Sequence, residues 1–585
     1  MDLGRGVLGR AWRLRQHEPA TALAISQRLG LPEIVGRVLA GRGVTTETAA
    51  GFLAPRIRDW LPDPSHLNDL DRATDRIAAA VEDGERIGII GDYDVDGASS
   101  TALVGRYLRA LGVEVEIEIP ERLTDGYGPN VGALDRLAAA DCRLVLTLDT
   151  GTTAFAPLAH AAEQGQEVVV VDHHAAEDHL PAALAVVNPN RQDQDSPLAH
   201  LAAVGVAFVL LVAVNRELRR RGYFASRPEP NLMGLLDLVA LGTVCDVVPL
   251  TGLNRAFVAQ GLKVATNTAV PGLAALARCA GITSVDSARQ LGFTLGPRIN
   301  AGGRTGKSAL GARLLMMDDA GEAAGIAAYL DELNRQRQDI ERELMQVAAQ
   351  AAEPQLDADR PVIVVAGEGW HIGVLGIVAS RLVERCHRPV FVVGTAEGVG
   401  KGSARSIPGF DVGAAVIAAK AAGLLLHAGG HKMAAGITVA TDRLTDLTGF
   451  LIERFTEFCG PATPKPASLE LDGMLAVGGV TMDLARTLEQ VAPFGAGNAE
   501  PAFCLQDVHV AFTKPVGDGH LSCTLVGPGG GAGVKGMAFR ARGNALGVAL
   551  AQGAPLRLAG KLKLDTWQGT TRPCFTIEDA SPATP

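Results

Sequence analysis

Short apolar runs recur between residues 86 and 171, and an acidic residue closes each of them. Arg86 to Gly91 leads into Asp92-Tyr93-Asp94-Val95-Asp96-Gly97. Arg143 to Leu148 leads into Asp149, and Glu167 to Val171 leads into Asp172-His173-His174. Helical segments separate the runs: Ala98 to Leu111 before a further strand, Val113 to Ile119, and Phe155 to Gln164 later. Runs of five or six apolar residues suit strands buried on both faces, and helices between them impose a parallel, doubly wound α/β sheet. In such a sheet ligands gather beyond the carboxyl ends of the strands, at the switch in strand order. Asp92, Asp94, Asp96, Asp149, Asp172, His173 and His174 therefore share one crevice, and Asp246 joins them at the end of the apolar stretch 231–245.

Charged groups beside core segments need a partner. Carboxylates with few imidazoles suit two hard or borderline divalent ions, Mn²⁺ or Mg²⁺, rather than zinc. Two such ions stabilise both the attacking and the leaving oxygen in phosphoryl transfer. Asp149 stands alone on the central strand and is the natural bridging ligand. Other readings exist for each piece. Asp-x-Asp-x-Asp-Gly also opens an EF-hand loop, but a strand precedes it here and the later ligands are missing. Asp149 with Thr150 also suits a helix N-cap.

At 585 residues the chain needs several cores, roughly three to four domains. Residues 1–70 read as an N-terminal extension of short helices, and 71–309 as the α/β unit. Residues 310–355 read as a long connector helix whose charges around 331–343 form a solvated face. A smaller α/β unit spans 356–458, with strands Pro361 to Ala366 and Pro389 to Val393 flanking helix Gly376 to Cys386. Prolines 461, 464 and 466 mark a linker. Residues 459–585 show the short strands of a small β-barrel, with 527–533 as a flexible hairpin loop.

The net charge of −10 argues against coating nucleic acid by bulk charge. Residues 460–585 hold ten basic and ten acidic residues, so the excess lies in the part that carries the acidic clusters. Aromatics make up only 4%, which limits extensive base stacking; Phe494, Phe503, Phe539 and Trp567 are available, the first two as core residues. None of the eight cysteines forms a Cys-x-x-Cys pair, which suits reduced thiols in a cytoplasmic protein. No apolar run reaches the ~18 residues of a membrane span, and no signal peptide is evident.

The ordered motifs resemble the DHH phosphoesterase superfamily. Gly296-Pro297-Arg298-Ile299-Asn300-Ala301-Gly302-Gly303-Arg304 is similar to a motif of its branch of single-strand-specific 5′-to-3′ DNA exonucleases, as is Ile119-Pro120-Glu121-Arg122 followed by Gly126-Tyr127-Gly128. Gly369 to Ala379, Gly402-Ser403-Ala404-Arg405-Ser406 and Gly429-Gly430-His431 look like a DHHA1 domain. Pro493-Phe494-Gly495-Ala496-Gly497-Asn498 resembles the approach to an oligonucleotide-binding (OB) domain. The resemblance implies one ion on Asp92, Asp94 and Asp149, and a second on Asp96, Asp149, His173 and Asp246. It implies that His174 either supports the ligands from behind or faces phosphate, and that Asp172 orients the histidines. Many members of the superfamily carry a histidine where Ile90 stands, so Asp92 takes that role. Thr150 to Thr153 are more polar than the family suggests.

The implied activity is a 5′-to-3′ exonuclease of single-stranded DNA that releases 5′-mononucleotides, in recombination and repair. Arg122, Arg304 and Ser403 are its candidates for the strand's terminal phosphate, Arg405 and His431 for the backbone or the leaving nucleotide's phosphate, and Arg298 for a further nucleic-acid contact. Arg122 also suits a surface ion pair, and Ser403 a turn hydroxyl. The implied partners are a DNA 5′ end, a single-strand-binding protein and a helicase, around a monomer with no membrane contact. Rival readings are an oligoribonucleotide or cyclic-dinucleotide phosphodiesterase, a pyrophosphatase and an inactive scaffold.

Overall fold

The computed structural model describes residues 2–121, 124–268, 270–305, 307–460, 468–567 and 569–583. Five strands form the first sheet: β1 (Ile87–Gly91), β2 (Val115–Glu118), β3 (Leu144–Leu148), β4 (Glu167–Val171) and β5 (Ala185–Val187). All pair in parallel, in the order β2-β1-β3-β4-β5. Alternate residues feed two cores. Ile87, Ile89, Val169 and Val171 join one, with the helices α1 (Val95–Ala110), α2 (Ala203–Arg220) and α3 (Leu236–Cys245). Ile90, Val168 and Val170 join the other, against helices Val131–Ala139 and Phe155–Glu163. Two covered faces explain why these strands read as continuous apolar runs. The order reverses between β1 and β3, which places the Asp92 loop beside Asp149.

The connector is α4 (Ala320–Asp357), preceded by a separate short helix, Leu310–Met316. Its first half packs Ala323, Ala327, Leu330 and Leu333 on the first core. Its second half packs Leu344, Ala348 and Ala352 on the core of the second lobe. Where the helix changes hosts, Asn334, Arg337 and Glu341 are buried. The expectation of a uniformly solvated charged face fails there, because two lobes close over one helix. The second lobe's sheet runs His427–His431, Ala434–Ala440, Val399–Arg405, Val390–Ala396, Ile363–Glu368; only the last two strands are parallel.

Near the C-terminus, Phe503–Val516, His520–Gly527, Gly530–Ala538, Thr570–Pro582 and Leu556–Trp567 pair in that order. The first strand also pairs with the last, which closes a five-stranded barrel. The expected loop over 527–533 is mostly strand, with Gly527 and Gly530 paired across a tight turn.

Short helices fill residues 19–66 as expected, but the first fourteen residues depart from that reading. Asp2–Arg5 and Ala11–Leu14 form a hairpin, and its second strand pairs in parallel with Leu469–Leu471. Trp12 is fully buried against Leu471, Ala502, Cys504 and Ala559, and its Nε1 donates to Asp579 Oδ2 at 3.1 Å. Ile25, Val35, Val38 and Leu39, on helices Pro19–Leu29 and Glu33–Ala40, share a core with Phe503, Leu505 and Phe575 of the barrel. These partners lie more than 460 residues apart, so no local pattern records them. Arg255, on helix Gly252–Thr268, fastens the arrangement. It is almost fully buried and donates to the carbonyls of Phe52, Val491, Ala492 and Pro493.

Candidate metal centre and phosphate cleft

Each acidic residue is placed by the end of the element before it. After β1 the chain turns sharply into α1, where Asp94 is the N-cap: its Oδ1 accepts from Asp96 N at 2.9 Å and Gly97 N at 3.1 Å. A side chain at Gly97 would meet Asp92 at 2.5 Å, so only glycine allows this turn. Asp149 holds φ +62°, a left-handed conformation at the tip of the central strand. Its amide still donates to Val171 O at 3.0 Å. The N-cap reading of Asp149 fails, since helix Phe155–Glu163 starts six residues later with Ala154 at its cap. Val247, directly after Asp246, also has positive φ (+61°), which is rare for a β-branched residue. Left-handed backbone outside glycine costs of order 1–3 kcal/mol and concentrates at functional sites.

Three ligand atoms converge without a hydrogen bond among the described residues. His173 Nε2 lies 3.4 Å from Asp149 Oδ1 and 3.6 Å from Asp246 Oδ2. All three atoms are buried and have no hydrogen-bond partner. A buried orphan of this kind is costly unless something fills the gap. Their spacing suits a shared cation. Potential ligand atoms group as Asp92, Asp94 and Asp149; as Asp96, His173 and Asp246; and as Asp149, His173 and His174, within 4.8 Å in each group. Asp149 and His173 each belong to two groups, so the set fits a pair of adjacent ions. Asp96 is tethered as well: Oδ2 accepts from Ala203 N at 2.7 Å and Oδ1 from Val204 N at 3.1 Å, at the positive end of α2. Gly242 of α3 admits this carboxylate, because a Cβ there would lie 2.7 Å from Asp96 Oδ1. Ile90 points into the apolar core, away from this chemistry.

Around the ligands lies a ring of orienting bonds. Asp172 Oδ1 accepts from the amides of His173 and His174 and from His174 Nδ1 at 2.7 Å, while Oδ2 accepts from Thr152 N. Asn188 donates to His174 O and Thr152 Oγ1, and Asn190 donates to His173 O. The polar Thr150–Thr153 segment is thus part of the support. Tyr127 donates its hydroxyl to Asp149 O at 2.9 Å and stands edge-on to His174. The asparagines carried no distinguishing signal in the sequence. Tyr127 lies in a quoted motif, yet only the fold brings it to Asp149.

Burial and mutual repulsion raise the carboxyls. Asp149 is pushed well up by burial and by Asp96, Asp94 and Asp92. Asp96 rises through burial, Asp246 and Asp94. Asp246 is pushed up to about 7 by burial and Asp94. Burial also opposes charge on Asp172, but the His174 hydrogen bond and charge outweigh it and hold that carboxyl low. Burial disfavours the His174 imidazolium, yet Asp172 outweighs it and lifts the ring to about 9. Burial and the neighbouring His174 keep His173 low, hence neutral and able to ligate.

A cleft of about 420 Å³ opens between the lobes. Arg304, Ser403 and Arg405 line it, together with Gly373, Gly376, Ser380, Arg381 and Glu384. Arg304 reaches from the first lobe and donates to Gly373 O at 2.6 Å. Arg381 is an addition that sequence reading missed. Arg298 does not join the group, because it pairs with Asp331 of α4 at 2.9 Å and donates to Thr294 O. His431 is exposed on the edge strand His427–His431 and is not among the lining residues. Arg122 lies outside the described residues.

A switch-point cluster of carboxylates and imidazoles, joined by a connector helix to a second lobe that lines the cleft with Arg381, Ser403 and Arg405, defines a two-metal phosphoesterase of the DHH type. Residues 86–243 match the DHH family N-terminal domain, 359–457 the DHHA1 domain, and 471–579 the RecJ OB domain. The single-stranded-DNA-specific exonuclease RecJ of Escherichia coli strain K12 is 38% identical over 523 residues, 87% of this chain and 89% of that protein. RecJ of Bacillus subtilis strain 168 is 32% identical over 97% of this chain and 70% of its own. The crystal structure of RecJ with Mn²⁺ from Thermus thermophilus superposes with a TM-score of 0.81 at 32% identity, covering 98% of this chain and 80% of that one. The chain belongs to the RecJ family of exonucleases.

Proposed function

We propose that this protein degrades single-stranded DNA from the 5′ end and releases 5′-mononucleotides, using two Mn²⁺ or Mg²⁺ ions. The carrying observation is the trio of buried, unbonded ligand atoms on Asp149, His173 and Asp246. Asp92, Asp94 and Asp149 would hold one ion, and Asp96, Asp149, His173 and Asp246 the other. Bound there, the ions would supply Lewis acidity to the scissile phosphodiester and lower the pKa of the attacking water. The chain does the rest. Asp172 accepts from the amides of both histidines and from His174 Nδ1, which would leave His174 Nε2 to donate to a phosphoryl oxygen beside the centre. Arg304, Ser403 and Arg405 receive the terminal phosphate, which sets the distance from the strand's end to the cut.

The barrel extends the strand's track, with exposed Phe539 as a stacking surface; Phe503 is core, Phe494 half-buried, and the Trp567 side chain lies outside the described residues. We divide the chain into an N-terminal extension (1–70), catalytic unit (71–309), connector (310–355), DHHA1 unit (356–458) and OB unit (459–585); the extension packs on the OB unit as far as Leu53 and on the catalytic unit from Ile57. Among the described residues, no helix is long and apolar enough to cross a membrane. A cytoplasmic monomer acting in recombination and repair with a helicase and a single-strand-binding protein completes the reading; its eight free thiols suit a reducing compartment.

The test is digestion of 5′-labelled and 3′-labelled single-stranded DNA with Mn²⁺, against short RNA, for the native chain and an Asp94→Ala, Asp149→Ala double variant. The native chain should shed mononucleotides from the 5′ end and the variant none. Undiminished hydrolysis by the variant, or a preference for short RNA, would refute the assignment.

A further inference from the structure

One wall of the cleft is held by a carboxylate on the connector helix. Glu341 is buried in α4, at the point where the helix passes from the first lobe to the second. One of its oxygens, Oε2, pairs with Arg337 Nη1 at 2.6 Å, and Arg337 Nη2 donates to Asn334 Oδ1 at 2.9 Å. The other, Oε1, lies 2.6 Å from Arg381 Nη2. Arg381 is different in kind: its side chain is half exposed and lines the cleft with Arg304, Ser403 and Arg405. Two arginines on one buried carboxylate leave a net positive charge, and Arg381 carries its share of it to the cleft wall.

We infer that Arg381 is a further ligand for the 5′-terminal phosphate, and that Glu341 is its positioning residue. The inference rests on the exonuclease reading above. A guanidinium has five donors in a rigid plane, so one edge can stay on Glu341 while another meets a phosphate oxygen. Fixing that plane in advance removes the entropy that a free arginine would lose on binding. Glu384, one turn further along helix Leu375–Cys386, also lines the cleft. Its carboxylate repels anions there, which confines the phosphate to the side bounded by Arg304, Arg405 and Arg381. Because Glu341 sits where α4 changes hosts, a shift between the lobes would move Arg381 relative to Arg304.

The experiment compares steady-state degradation of one oligodeoxynucleotide carrying either a 5′ phosphate or a 5′ hydroxyl, using the full chain with Mn²⁺. For Arg381→Ala the preference for the phosphorylated end should fall about tenfold, through KM rather than kcat, as expected for one lost charge-assisted hydrogen bond. Glu341→Gln should lower the same preference by a smaller factor, and combining it with Arg381→Ala should add nothing further. An unaltered preference in Arg381→Ala would overturn the inference. So would a Glu341→Gln effect that is equal on both ends, or that adds fully to that of Arg381→Ala, since either is what a purely structural role gives. If the glutamine variant melts early, Arg381→Ala decides alone, because Glu341 keeps its pairing with Arg337 there. Failure of the unmodified chain to degrade the strand would sink the exonuclease reading itself, and this inference with it.

Discussion

Asp246→Asn should stabilise the metal-free protein while destroying its response to metal. The Asp246 carboxyl stands near His173 and close to Asp94 and Asp96, most of it out of water. Burial and Asp94 push it up to about 7, against an ordinary 3.8. A carboxyl raised in the native state binds its proton more tightly folded than unfolded, so its contribution to stability falls as pH climbs from about 4 to about 7. At ~1.4 kcal/mol per pH unit, that displacement sets a ceiling of about 4 kcal/mol. Neighbouring carboxyls share the repulsion, and about 2 kcal/mol is a reasonable expectation for the single replacement. For a unit of this size that corresponds to about 5 °C in melting temperature. Thermal unfolding at pH 8 in chelator should show the variant melting higher, with the gap shrinking toward pH 5. Adding Mn²⁺ should raise the native protein's melting temperature much more than the variant's. A variant that melts lower without metal, or a gap indifferent to pH, would refute the repulsion argument.

Further expectations follow from other contacts. His174 is lifted to about 9 with Asp172 as its counter-charge, so its imidazolium should persist past pH 8 in an NMR titration of metal-free protein; that stabilising charge pair is complete below pH 6.5 and is lost above pH 9. A midpoint near 6.5 would contradict it. Arg255→Ala removes donors from four backbone carbonyls and should cost at least ~3 kcal/mol, read by calorimetry, with earlier proteolysis at the 491–498 segment. Phe539→Ala, at a residue 56% exposed, should leave stability within ~0.5 kcal/mol while weakening binding of long strands; equal affinity would remove it from the track.

The ends of β1, β3 and β4 were legible because doubly buried strands leave dense apolar runs, and because acids seldom follow such runs without a task. The motif 296–304 carries two arginines, and only packing tells that Arg304 faces the cleft while Arg298 pairs with Asp331. The N-terminal strands were missed for another reason. Four residues carry too little alternation to be read, and their partner strand, Leu469–Leu471, lies at the far end of the chain. This also changes how a truncation should be made. Removing 459–585 alone would strip Ile25, Val35 and Leu39 of their shared core, so a clean deletion must take the N-terminal helices too.

By itself the sequence determined the doubly wound sheet, the acids and imidazoles at its switch point, and the kind of ion they suit. These depend on local periodicity and on side-chain chemistry, which survive in one dimension. Only the tertiary structure decided that His173, Asp149 and Asp246 bring three buried ligand atoms together without a hydrogen bond, and that Arg304 and Arg405 close a cleft from opposite lobes. It also buried part of the charged connector and set Arg381 on Glu341. Those facts depend on which surfaces exclude water together, and desolvation is a property of the assembled fold, not of any segment in it.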